Sequence, residues 1–155
     1  MKPGSLAILI VSFFSINLWL NLDPSASACG FVGKDFACAK VVRVIDGDTI
    51  SVDLPGVPEF FGKDQPLRLS GVDAPELHSK DECEKKQAVK ARNFVEYFLK
   101  NKIVHLKNLS KDKYGRLLSD VSFDGVSVSS LLIERGFAVA YYGEAKKKID
   151  WCKKR

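Results

Sequence analysis

Histidine is scarce in this chain of 155 residues, with only His78 and His105. His105 falls inside a predicted strand and reads as structural. His78 lies two residues beyond Glu76 and is a minor candidate base. No two of the four cysteines have the close spacing of a zinc finger. No internal repeat and no low-complexity tract occurs, so the length is enough for one domain around one core. The one long apolar run, Leu6 to Leu20, has 15 residues and includes Ser12, Ser15 and Asn17. A bilayer span needs about 20 apolar residues, which this run does not supply.

What is present around that run has a different meaning. Lys2 precedes it, Pro24 breaks it, and Ala26-Ser27-Ala28 supplies small residues beyond. This is the layout of a secretory signal peptide, which predicts removal of residues 1–28 and a single domain over residues 29–155. An uncleaved anchor competes with this reading. Lipid attachment at Cys29 is a third option, although Ala26 stands where leucine is usual. Cleavage removes one base, Lys2, and one acid, Asp23, so the formal charge stays at +5. A basic, exported protein, periplasmic or secreted, favours polyanionic partners, and nucleic acid is the commonest. Charge alone does not separate this from a merely soluble surface.

An even number of cysteines in an exported chain predicts two disulfides with three possible pairings. We expect Cys29–Cys38 as a local clasp and Cys83–Cys152 as a tether for the C-terminus. The sequence alone does not settle that choice.

Cys38 to Val44 and Thr49 to Asp53 read as strands joined at Asp46-Gly47-Asp48. Leu54 to Gln65, with Pro55, Gly56, Pro58 and Gly62, reads as a loop in which Phe60 and Phe61 either pack down as a lid or meet substrate, packing being the favoured reading. A third strand runs from Leu67 to Val72, since Leu67 and Leu69 alternate with Arg68 and Ser70. Ser79 and Glu82 have capping-box spacing before a helix. Ala88, Ala91, Val95, Phe98 and Leu99 form its core-facing stripe, and Lys100 and Lys102 suit its end. Ile103 to Leu106 is a fourth strand, Asn108 to Gly115 a polar loop, and Leu117 to Phe123 a fifth strand. Asp124-Gly125 is a tight turn, and Ser129 to Arg135 a short helix closed by Gly136. Phe137 to Tyr142 extends along the sheet, and Ala145 to Arg155 is a weak last helix. Five short strands with a helix after the third predict an α+β protein. Its centre is a five-stranded OB-fold barrel with two to three packed helices.

Three charged pieces recur in order. They are Asp46-Gly47-Asp48-Thr49, then Arg68 to Glu76 with its two carboxylates Asp73 and Glu76, then Asp112-Lys113-Tyr114-Gly115-Arg116. Hydrolysis of a phosphodiester builds negative charge on the oxygens of an already anionic phosphorus. A hard cation and fixed guanidiniums offset that charge. Aspartate oxygens suit calcium, and guanidinium forks suit phosphate. The three pieces supply both.

Together, over most of Cys38 to Tyr142, they resemble the staphylococcal nuclease family. The resemblance implies the same OB fold and a calcium-dependent nuclease acting on DNA and RNA with little base preference, leaving 3′-phosphate ends. It implies Asp48, Asp73 and the backbone carbonyl of Ala74 as calcium ligands, with Asp46 nearby outside the coordination sphere. Threonine is usual at the position of Ala74. Glu76 resembles the carboxylate that handles the attacking water, and Arg68 and Arg116 the arginines that grip phosphate. Lys113 and Tyr114 look like substrate-contacting neighbours. The sequence departs from the staphylococcal pattern in a longer Leu54–Gln65 loop and in its four cysteines.

Simpler readings stand beside these. Asp46-Gly47-Asp48 can be only a hairpin turn, Arg68 a partner for Asp73, and Arg116 a surface residue after a turn. The alternative function is a non-catalytic nucleic-acid-binding OB module. A protein-interaction module on the same barrel is a weaker one. A binding module has no use for an acidic cluster that repels phosphate. A monomer without stable membrane association after cleavage is the default expectation.

Overall fold

The structure, a computed structural model, describes residues 29–145 and 149–153. Residues 1–28, expected as a signal peptide, lie outside them. Strand β1 is Gly30–Val32, β2 Asp35–Val44 and β3 Thr49–Asp53. Helix α1 (Glu59–Gly62) leads to β4 (Gln65–Leu69) and β5 (Val72–Asp73). Helix α2 (Glu82–Leu99) leads to β6 (Ile103–Lys111), β7 (Leu117–Phe123) and β8 (Val126–Ser127). Helix α3 (Val128–Glu134) and β9 (Val139–Ala140) follow.

Alternation along β2 buries Phe36, Ala39, Val41 and Val44. Ile50 and Val52 of β3 and Leu67 and Leu69 of β4 fill the same interior. Each such aliphatic side chain contributes about 1.5–3 kcal/mol by leaving water. The sheet runs β2-β3-β4-β7-β6, and β6 pairs back onto β2, so five strands close a barrel. All pairs are antiparallel except β4–β7. This is the expected OB-type α+β architecture. The α2 stripe of Ala88, Ala91, Val95 and Leu99 is buried as expected.

Several local expectations are corrected. The Leu54–Gln65 segment holds the short α1, and Gln65 already belongs to β4. The third strand stops at Leu69 because Gly71 turns at φ 78°, and Val72–Asp73 instead pairs with β9. So Phe137 to Tyr142 contributes to that two-stranded ladder, not to the barrel. Asp81 caps α2, accepting from the Cys83 and Glu84 amides, while Ser79 donates to Glu84. The last turn of α2 carries no basic residue. Lys100 is its C-cap, beyond the last turn. Strand β6 continues to Lys111 because Asn108, at φ 54°, bulges between Lys107 and Ser110 and lets pairing resume. Helix α3 begins at Val128 under a Ser127 cap. Residues 149–153 form turns rather than helix; 146–148 and 154–155 lie outside the described residues.

Both expected disulfides are present, Cys29–Cys38 and Cys83–Cys152. The second ties the first turn of α2 to a segment 69 residues later.

Candidate active site

The turn leaving β2 carries Asp46 and Asp48. Asp46 Oδ1 accepts the Asp48 amide at 3.1 Å, so Asp46 builds the turn. Gly47 is needed there for space. A Cβ on it would come within 2.9 Å of the Cβ atoms of both Ala74 and Ala91. The turn therefore sits directly on the segment after Asp73 and on α2.

Arg68 projects from β4 opposite Thr49 of β3. Its Nη1 donates to Asp48 Oδ2 at 2.9 Å. Its Nη2 donates to the Val72 carbonyl at 3.1 Å and to Asp73 Oδ1 at 3.4 Å. One guanidinium thus joins two buried carboxylates, Asp48 at 8% and Asp73 at 3% exposure. Thr49 Oγ1 donates to Asp48 Oδ1 at 3.0 Å, and the Ala74 amide reaches Asp48 Oδ2 at 3.4 Å. The Arg68 guanidinium also lies 5.9 Å from the Tyr141 ring centre.

Burial pushes the Asp48 carboxyl from its ordinary 3.8 up to about 7. The Arg68 charge opposes the rise, and Asp46 adds to it. Negative charge is in excess here, and the available donors are oxygens. That donor chemistry fits a hard divalent cation held by Asp48 and Asp73. Among the described residues no three His, Cys, Asp or Glu side chains gather as a metal-holding group. A backbone carbonyl such as that of Ala74, together with water, would have to complete such a site.

Glu76 lies three residues past Asp73, exposed on the turn after the buried Pro75. Its amide donates to Glu84 Oε1 at 3.2 Å, while Ser79 Oγ donates to Glu84 Oε2 at 2.6 Å. Glu84 of α2 therefore straps this turn down. His78 is exposed on the same loop, and His105 is exposed on β6.

Arg116 enters from the neighbouring strand. The parallel β4–β7 pairing puts Leu118 beside Arg68. Arg116, two residues before Leu118, falls on the same side of the pleat. Asp112 fixes it, accepting from Arg116 Nε at 2.8 Å and from the Arg116 amide at 3.0 Å. Burial works to raise the Asp112 carboxyl, yet the Arg116 bond and the Tyr114 and Arg116 amides hold it below its usual value. The terminal nitrogens of Arg116 are left without a hydrogen bond among the described residues. Tyr114 is 73% exposed, with Lys113 Nζ at 5.1 Å and the Arg116 guanidinium at 5.7 Å from its ring centre.

The structure thus brings Asp46, Asp48, Arg68, Asp73 and Ala74 together. Glu76 sits on the adjoining turn, and Lys113, Tyr114 and Arg116 form a second loop. Sequence reasoning placed Thr49 and Asp112 inside the charged pieces without giving them a task, and it missed Tyr141. Asp112 was legible in principle, because an Asp three residues before Gly115 is a turn former. Nothing local marks Tyr141, which β9 delivers beneath Arg68 across the fold.

The profile of the family described as staphylococcal nuclease homologue matches residues 66–154. A thermonuclease of Staphylococcus hyicus is 32% identical over 139 residues, covering 88% of this chain and 78% of that protein. A thermonuclease of Staphylococcus intermedius is 36% identical over 104 residues, covering 66% of this chain and 58% of that protein. The endonuclease YncB of Bacillus subtilis is 36% identical over 110 residues, covering 68% of this chain and 49% of that protein. The match to this chain therefore spans less than two thirds of the last two relatives.

Proposed function

The chain belongs to the staphylococcal nuclease family, and from that premise we propose that it is a nuclease, hydrolysing phosphodiester bonds in DNA and RNA with little base preference. The observation that carries this reading is the Arg68 guanidinium held between Asp48 and Asp73. A charged fork buried to this degree beside two carboxylates suits phosphate recognition better than barrel stability alone.

Each side chain then has a task. Arg68 exchanges its carboxylate bonds for phosphate oxygens as substrate enters. Arg116, held at Nε by Asp112, offers its terminal nitrogens to the same phosphate. Planar forks hold growing charge on equatorial oxygens better than a point charge does. Glu76 takes the proton of the attacking water as its oxygen adds to phosphorus. Departure of the 5′-oxygen leaves a 3′-phosphate. Asp48, Asp73 and the Ala74 carbonyl would hold calcium, which when bound supplies positive charge beside the phosphate. Lys113 and Tyr114 flank the substrate strand. The protein acts as an exported monomer, with residues 1–28 removed and no stable hold on a membrane.

Digestion of single-stranded DNA by the purified protein, with calcium and with a chelator, tests the proposal. Cleavage that the chelator abolishes is the expected result. Tight binding without cleavage under both conditions would replace it with the non-catalytic module.

A further inference from the structure

The sequence favours a packed role for Phe60 and Phe61, and the structure shows the reverse. Their rings are 85% and 65% exposed. They meet edge to face with centroids 5.0 Å apart. Single exposed apolar residues are ordinary, but two adjacent phenylalanines at one tip call for a partner.

The segment that presents them is braced. The Leu54 amide donates to the Gly62 carbonyl at 2.7 Å, closing the loop. Val57 packs on the core. Gly62 is wedged so tightly that a Cβ would come within 2.8 Å of Val57 Cβ. Just beyond, Asp64 accepts from Arg43 at 3.0 Å and from Ser51, and its amide donates to Asp53. A braced platform loses little freedom when it binds.

Its position identifies the occupant. Strands β3 and β4 both connect the Asp48–Arg68 end of the barrel to this segment. Thr49 lies opposite Arg68 at one end, and Val52 opposite Gln65 at the other. These four residues of strand span about 10 Å. In OB folds the second and third barrel strands are where oligonucleotides lie. Beside the pair is a hollow of about 330 Å³ lined by Leu54, Pro55, Val57, Lys40, Asp53 and Lys63. Lys63 neutralises Asp53 at 3.4 Å. Lys40 and Glu59 have no ion pair among the described residues, so the lining carries no net charge. Apolar walls without net charge suit a base.

We propose that Phe60 and Phe61 are a base-stacking platform for single-stranded nucleic acid, gripping the substrate strand away from the phosphate held at Arg68. The inference rests on the nuclease reading for the identity of that strand. Stacking is indifferent to base identity and changes affinity about 5- to 150-fold per base. Long strands therefore bind better than short ones.

The full oxidised protein is compared with the Phe60→Ala/Phe61→Ala variant. Binding of a single-stranded DNA of about 12 nucleotides, within the range OB folds cover, is measured in chelator. Turnover of a dinucleotide, too short to reach the platform, is measured with calcium. The double variant should bind the longer DNA about 10-fold or more weakly and keep wild-type kinetics on the dinucleotide. Phe60→Trp/Phe61→Trp should restore binding. Both rings are exposed, so thermal stability should not change. Equal affinity of wild type and double variant for the longer DNA overturns the platform, whatever the nuclease activity. A wild-type protein that cleaves neither substrate overturns the nuclease reading, while the binding comparison still judges the platform. If the double variant keeps DNA binding but loses attachment to phosphatidylglycerol vesicles, or loses self-association, the pair serves a lipid surface or a second copy. Either of these outcomes also overturns the proposal.

Discussion

Arg68 Nη1 donates to Asp48 Oδ2 at 2.9 Å inside a barrel end where the arginine side chain is only 15% exposed. This pair separates structural from catalytic roles. Lysine at position 68 keeps the charge but loses the planar fork. We expect Arg68→Lys to retain most thermal stability and to lose nuclease turnover heavily, on the order of 100-fold. Arg68→Ala should also unfold more readily, because it strands two buried carboxylates. Near-normal turnover in Arg68→Lys would reduce the pair to a salt bridge.

Asp48 has a second consequence. Its folded pKa, about 7, exceeds the ordinary 3.8, so in metal-free protein the folded state holds a proton that the unfolded chain releases. The contribution of Asp48 to metal-free stability then falls as pH rises from about 4 toward 7. Asp48→Asn removes this dependence. In chelator the variant should match or exceed wild-type stability near pH 8, yet bind calcium more weakly. Thermal melts across pH and titration calorimetry read the two effects separately. Unchanged calcium affinity in the variant takes Asp48 out of the cation site.

Gly47 gives a purely steric prediction. An added methyl meets both Ala74 and Ala91 at 2.9 Å, and neither contact is the end of a flexible side chain. Gly47→Ala should cost about 1–3 kcal/mol, as other overpacking changes do. It should also disturb cation binding, since it lifts the turn bearing Asp48. Denaturant melts and calcium titration on one preparation test this. An effect on neither rejects the tight packing of the turn.

How much of this was legible follows from the type of signal. The barrel strands announced themselves because Ile50, Val52, Leu67 and Leu69 alternate with neighbours on the other face, a local pattern, whereas the start of β2 at Asp35, three residues before the expected Cys38, was not read. The charged site was legible because three short pieces keep family order. The polar stretch around Asn108 hid a strand, since a bulge interrupts the alternation that marks one. The burial of Asp48 and the approach of Tyr141 were not legible, for the first depends on the Gly47 turn packing on Ala74 and Ala91 and the second on β5 meeting β9 across the fold. Phe60 and Phe61 misled because local sequence cannot say which side of a braced loop faces water.

The Cys83–Cys152 bond closes a long loop. By chain entropy such a closure stabilises by about 4 kcal/mol. The Cys83→Ser/Cys152→Ser variant should lose stability on that order in urea melts while the barrel still folds. A loss well below about 1 kcal/mol would mean that the tether leaves the unfolded ensemble largely unconstrained.

Glu76 is the sharpest test of mechanism. It lies on an exposed turn that Glu84 ties down through the Glu76 amide and Ser79 Oγ. An amide keeps the shape of the side chain, so Glu76→Gln should leave fold and substrate grip nearly intact. If Glu76 accepts the proton of the attacking water, Glu76→Gln should lower turnover by about 10²–10⁴-fold, the usual scale of general-base catalysis. Affinity for single-stranded DNA in chelator should stay within about twofold, because the arginines are untouched. His78, two residues on in the same exposed loop, is another group that could take the proton. A His78→Gln control should leave turnover unchanged. Loss of turnover in His78→Gln together with a normal Glu76→Gln would transfer the role to the imidazole. Equal loss of binding and turnover in Glu76→Gln would show instead that the carboxylate organises the site and does not act on the water.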